Sequence, residues 1–166
     1  MGGEIGGVLH VDMVASTELL STRGVNAQID ARERLDGIVR SVTDRRQATL
    51  LDSSGDGSLL SFPSAMVAFA AAVELRDVVA GDADFDVRIG LDIADADPAS
   101  AEVVERACPP GQVAVHDRFR RCIAGVAPDI GFTPESSGVS VADVAGGSSF
   151  DLPSGCLLYT SPSPRD

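Results

Sequence analysis

The segment Ser53-Ser54-Gly55-Asp56-Gly57 constrains this chain more than any other stretch. Asp-Gly between two apolar runs is a strong hairpin signal, because a tight turn needs residues that tolerate positive φ. Thr49 to Asp52 and Ser58 to Phe62 therefore read as neighbouring antiparallel strands. The flanking segments fall into place around that hairpin. Val8 to Met13 is a short apolar run interrupted by His10 and Asp12, the pattern of a buried strand. Ala15-Ser16-Thr17-Glu18 reads as a helix start with Ser16 or Thr17 as cap. From Asn26 to Gln47, charges surround Ile29, Leu35, Ile38, Val39 and Val42 at helical spacing, and these apolar residues are expected in the core. Pro63 can begin a helix, and Ser64 to Val79 is alanine-rich and apolar. Asp86 to Ile93 alternates Val87, Ile89, Leu91 and Ile93 against Asp86, Arg88 and Asp92, which predicts a strand. Ala99 to Ala107 is a short helix stopped by Pro109-Pro110-Gly111. Gln112 to Val115 is then a strand, Asp117 to Gly125 a helix, and Val139 to Asp151 a terminal hairpin. The order β-α-β-β-α-β predicts a ferredoxin-like α+β fold: an antiparallel sheet with helices on one face, plus a C-terminal accessory hairpin.

At 166 residues and 44% hydrophobic, the chain has material for one domain with a real core. No apolar run approaches the length of a membrane span, and no signal-peptide pattern begins at Met1. Acidic residues outnumber basic ones 25 to 13, for a net charge of −12. That balance opposes a nucleic-acid clamp, which needs clustered cations. All 13 basic residues are arginines, so chemistry that requires a lysine is excluded. Three cysteines form neither a disulfide framework nor a zinc pattern, consistent with a reduced, cytoplasmic setting. Residues 156–166, CLLYTSPSPRD, resemble one reading frame of a transposase adapter used in sequencing libraries. The domain is accordingly expected to occupy residues 1–155, with 156–166 a non-native tail.

Two carboxylates stand out. Asp12 lies near the end of the first strand, and an acid inside an apolar run is costly without a partner. Asp56 sits in the hairpin turn. In a β-α-β-β sheet these strands are neighbours, so both carboxylates can converge at one edge. Such an oxygen set suits Mg²⁺, which binds substrate phosphates with few protein ligands. The backbone from Met13 to Thr17 leads into a helix N-terminus, a natural phosphate cradle. Gly-Asp-Gly also suits any hairpin turn, with or without a ligand.

Val11-Asp12-Met13-Val14-Ala15-Ser16-Thr17, Ser54-Gly55-Asp56-Gly57-Ser58-Leu59-Leu60-Ser61-Phe62 and Val87-Arg88-Ile89-Gly90-Leu91 together resemble the class III adenylate/guanylate cyclase catalytic domain. Pro110-Gly111-Gln112-Val113-Ala114-Val115 resembles its later Pro-Gly-Gln strand, and Val139 to Leu152 its closing hairpin. The resemblance runs in order from Gly6 to Leu152. It implies two Mg²⁺ or Mn²⁺ ions held by Asp12 and Asp56, and a purine nucleoside triphosphate as substrate. One ion would activate the ribose 3′-hydroxyl, and the other would steady the triphosphate and leaving pyrophosphate. Met13 and Val14 would offer backbone groups to metal or phosphate, and Ser16 and Thr17 would stand in the cradle. The family's sites form between two catalytic domains, which implies a homodimer or a heterodimer with another cyclase domain.

The chain departs from the family pattern in two places. ATP-using members carry a lysine four residues before the second metal aspartate; here that position is Asp52, which could accept a hydrogen bond from a guanine edge or simply end an acidic strand. Counting back from Pro109-Pro110-Gly111, the positions of the family's transition-state Asn and Arg fall on Ala99 and Val103. Arg106, one turn further along, is the candidate substitute. Three readings follow: an active cyclase making 3′,5′-cyclic nucleotide and pyrophosphate from ATP or GTP, a degenerate regulatory or dimerisation module, and a metal-donating half of a heterodimeric cyclase.

Overall fold

The computed structural model describes residues 5–14, 16–54 and 57–144. Twelve elements follow one another: β1 (Gly7–Val14), α1 (Ser16–Arg23), α2 (Val25–Arg45), β2 (Thr49–Ser54), β3 (Gly57–Phe62), α3 (Ala65–Val79), β4 (Asp86–Ile93), α4 (Ala99–Arg106), β5 (Val113–His116), α5 (Asp117–Ala124), β6 (Gly131–Ser136) and β7 (Val139–Asp143). They build one seven-stranded sheet in the order β2-β3-β1-β4-β5-β7-β6. The first four strands of that order are each antiparallel to their neighbours and form the ferredoxin-like core. β5 joins parallel to β4 through the α4 crossover, and the β6–β7 hairpin extends the far side. No helix among the described residues is long and apolar enough to cross a membrane.

Period-two alternation divides the sheet into two chemically distinct faces. Leu9, Val11 and Met13 of β1, Leu60 and Phe62 of β3, and Val87, Ile89 and Leu91 of β4 enter one core. α2 and α3 cover it. Ala31, Leu35, Val39 and Val42 recur at helical spacing on α2 and are buried. Ile29 is 47% exposed, contrary to its expected core position. It lies two residues before Ala31, and at 100° per residue that turns it away from the buried stripe. α3 is buried almost all round, which its alanines allow because they let neighbours approach from several sides. It starts one residue after Ser64, whose Oγ accepts the Val67 N–H at 3.1 Å; Pro63 stands just outside the helix.

The other face of β1 and β4 carries His10, Asp12, Arg88, Gly90 and Asp92. Only α4 covers it. α2 and α3 thus share one face, as the ferredoxin-like pattern implies, and α4 takes the opposite one. Gly90 makes this possible: a Cβ there would overlap Glu105 N and Ala101 O of α4. Val104 then packs with Cys108, Ala114, Val139 and Val141 in a second, smaller core.

Fully buried Asp92 ties the ends of α4 and α5 to β4. Its carboxylate accepts from Arg118 Nε and Nη2 at 2.8 and 2.7 Å, from Ser100 Oγ at 2.6 Å and from Ile93 N at 2.7 Å. Burial pushes this carboxyl up, but those donors outweigh it and hold it below the ordinary carboxylate value.

The terminal hairpin differs in extent from the expectation. Val139–Asp143 is its second strand, and its first is Gly131–Ser136, which pairs with it along the sheet edge. Pro134 hides that strand in the sequence, since proline argues against any but an edge position. Residues 145–151 of the expected hairpin, and the 156–166 tail, lie outside the described residues.

Two predictions test this packing. Gly90→Ala should displace α4 and destabilise the domain by about 1–3 kcal/mol or more, the usual range for overpacking; a thermal melt with wild type checks it. Asp92→Asn should cost about 1.5–3 kcal/mol at neutral pH, the range for hydrogen bonds to a charged group. Because the folded carboxyl titrates below its unfolded value near 3.9, its contribution is complete above that pH and fades as the pH falls through the folded value. Urea melts of the two proteins should therefore converge below about pH 4.

Candidate active site

A polar cavity of about 300 Å³ opens on the α4 face of the sheet. β1 contributes His10 and Asp12, β4 contributes Arg88, and the β2–β3 hairpin contributes Asp52 and Gly57. α4 closes it with Glu102, Glu105 and Arg106. The sheet register explains the grouping. Asp12 stands directly opposite Arg88 on β4 and opposite Gly57 on β3. His10 stands opposite Gly90, the point where α4 touches the sheet. Gly57 leaves room for His10, whose ring would lie 2.9 Å from a Cβ at position 57.

The lower part of the cavity is buried and charged. Glu105 is 2% exposed, with Oε1 3.2 Å from His10 Nδ1 and Oε2 3.8 Å from Arg88 Nε. Both nitrogens are buried and face the carboxylate without an aligned hydrogen bond. The rim is open. Arg106 donates from Nη2 to Glu102 Oε2 at 2.7 Å, with 69% of its side chain in solvent. An exposed pair of this kind holds weakly, so the guanidinium is available to an incoming anion.

Four carboxylates and two guanidiniums line the cavity. This set attracts cations and repels a bare polyanion, and its all-oxygen acidic donors match a hard divalent ion. Among the described residues no three His, Cys, Asp or Glu side chains are grouped tightly enough to hold a metal. Asp12 on β1 and Asp52 on β2 supply carboxylates from the two strands that flank β3. Asp56 lies outside the described residues.

Of the residues singled out in the sequence, Asp12, Asp52 and Arg106 come together around this cavity. Met13 and Val14 do not line it: the Met13 side chain is buried on the opposite face in the main core. In the register, β1–β3 pairing ends at Asp12–Gly57 whereas β1–β4 pairing continues to Val14. Ser16 and Thr17 occupy the first turn of α1. Ala99 and Val103, the positions counted back from Pro109, are exposed and are not among the residues that line the cavity; Val103 is 61% exposed. Glu102 and Arg106 hold the cavity-facing positions of α4, again four residues apart.

His10, Arg88, Glu102 and Glu105 were not singled out as site residues. Period two alone could have joined His10 to Asp12, and the alternation of β4 could have placed Arg88 with them. Nothing local in the sequence marks Glu105, whose burial follows from the approach of α4 to Gly90.

No known family model and no curated protein matches the sequence. Solved structures do match. The monomeric guanylyl cyclase domain of the RhoGC fusion protein from the fungus Blastocladiella emersonii superposes with a TM-score of 0.72 at 14% identity, over 86% of this chain and 95% of that one. The adenylyl cyclase CyaB from P. aeruginosa gives 0.69 at 16% identity, over 90% and 98%. The guanylate cyclase domain of RhGC from Catenaria anguillulae, in complex with GTP, gives 0.68 at 15% identity, over 84% and 94%. The chain has the fold of adenylyl and guanylyl cyclase catalytic domains.

Proposed function

We propose that this chain is a class III nucleotidyl cyclase domain that converts ATP or GTP to the 3′,5′-cyclic nucleotide and pyrophosphate in cytoplasmic signalling. The observation that carries the reading is the meeting of Asp12, Asp52 and Arg106 around one cavity of a cyclase-type fold. In the reaction the ribose 3′-oxygen bonds to the α-phosphorus, the bond from that phosphorus to the β-phosphate oxygen breaks, and the hydroxyl proton is released. Asp12 and Asp56 would hold Mg²⁺ or Mn²⁺, an assignment that the acidic oxygen donors of the cavity fit. The bound ions supply Lewis-acid charge for the hydroxyl and the phosphates. Arg106 would set a fixed positive charge beside the α-phosphate, where negative charge builds as the new bond forms. Asp52 at the hairpin end would accept from the purine edge, and Met13, Val14, Ser16 and Thr17 would cradle phosphates through the start of α1. The solvent-exposed rim at Arg106 is compatible with completion of the site by a second cyclase domain, from the same chain or another.

One observation supports a second reading. The chain has no lysine to read adenine. A domain so equipped could serve as the metal-donating half of a heterodimer, or as a regulatory module that binds nucleotide without turning it over.

Purified protein incubated with Mn²⁺ and ATP or GTP should yield cyclic nucleotide detectable by mass spectrometry. Asp12→Asn and Asp56→Ala should each abolish it, and Arg106→Ala should lower kcat by about a hundredfold, the usual cost of a transition-state charge. Product formed only on mixing with a second cyclase domain would assign the half-site reading. No product from folded protein in any mixture would leave the regulatory one.

A further inference from the structure

We propose that Glu105 is a positioning residue: it seats α4 on the sheet and thereby sets Arg106 over the cavity. The inference rests on the cyclase reading. α4 is only eight residues long; the Asp97 carboxylate accepts the Ala99 N–H at its N-terminus at 3.0 Å. A helix that short does not hold itself together in water, so its orientation comes from what it touches. Its buried residues are Ala101, Val104 and Glu105. Ser100 Oγ donates to Asp92 of β4 at 2.6 Å and holds the N-terminal end of the helix, whereas Ala101 and Val104 further along make apolar contacts, which are non-directional.

Glu105 is different. Its two carboxylate oxygens face nitrogens on two separate strands, His10 on β1 at 3.2 Å and Arg88 on β4 at 3.8 Å. Two such attachments fix rotation as well as distance. A buried carboxylate is expensive unless it faces positive or donor groups, so any rotation that withdraws it from both nitrogens is opposed. Neither nitrogen has an aligned hydrogen bond elsewhere, so neither offers the carboxylate a competing arrangement. Arg106 is the next residue in the chain, and Glu102 lies one turn back on the same side. The rotation set by Glu105 therefore sets the direction in which the Arg106 guanidinium leaves the helix.

The test combines Glu105→Gln, which keeps shape and removes charge, with Arg106→Ala and the double variant. Amide hydrogen exchange on the metal-free protein reads the seating. Amides of α4 should exchange about tenfold faster in Glu105→Gln while those of α3 stay unchanged, the sign of local opening. Unchanged α4 protection would overturn the proposal. Kinetics with Mn²⁺ and nucleotide read the positioning. Glu105→Gln should lower kcat by about ten- to a hundredfold, the cost of a small misplacement, with KM within about twofold. In the Arg106→Ala background the same change should cost less than about twofold, because the group it positions is gone. An equal loss in both backgrounds would make Glu105 structural only and sink the idea. Should Glu105→Gln not fold, His10→Gln removes one attachment from the sheet side, with the same outcomes expected. Folded wild type that makes no cyclic nucleotide in any mixture overturns the cyclase reading instead; exchange in α4 then decides by itself whether Glu105 is the anchor.

Discussion

At Gly90 the backbone of α4 comes so close to β4 that a methyl group there would collide with Ala101 O and Glu105 N. Much of the polar half of the molecule depends on that approach. It buries Gly90 and Asp92 on the face of β4 that would otherwise meet solvent. It brings Ser100 within reach of Asp92, and it carries Glu105 under the cavity between His10 and Arg88. The wall of the cavity formed by Glu102 and Arg106 exists because the helix can lie there.

The sheet uses its two faces for opposite purposes. Toward α2 and α3 it is a continuous apolar surface with no charge from β1, β3 or β4. Toward α4 the same strands present His10, Asp12, Arg88 and Asp92. Charged groups on a buried face must be paired, and each solution here reaches across elements: Asp92 to Arg118, Glu105 to His10 and Arg88. The dry face makes the sheet rigid, and a rigid sheet can hold polar side chains in fixed relation at the other face. That arrangement suits chemistry on a charged substrate, where small displacements of a catalytic group are costly.

Most of the fold was legible in local patterns. The Asp-Gly hairpin, the interrupted run around Asp12 and the alternation through Val87, Ile89 and Leu91 each map onto a strand in the expected order, and the alanine-rich stretch onto α3. β6 was not legible, because Pro134 speaks against a strand and its burial pattern is nearly all exposed. Ile29 misled because hydrophobicity locates a helix better than it locates the buried stripe. Asp12, Asp52 and Arg106, which motif and spacing single out, line one cavity. The positions counted back from Pro109, Ala99 and Val103, lie exposed on α4, and Glu102 and Arg106 of the same helix line the cavity.

What the sequence determined by itself is the set of elements and the partition of each strand into an apolar and a polar side, because period two and period 3.6 are local properties of the chain. It also determined that this chain brings no lysine to any ligand. Which helix covers which face, and that Glu105 is buried between His10 and Arg88, were decided only by tertiary structure. The reason is physical: a carboxylate on a short helix looks solvent-exposed until a glycine 15 residues earlier lets that helix fall against the sheet.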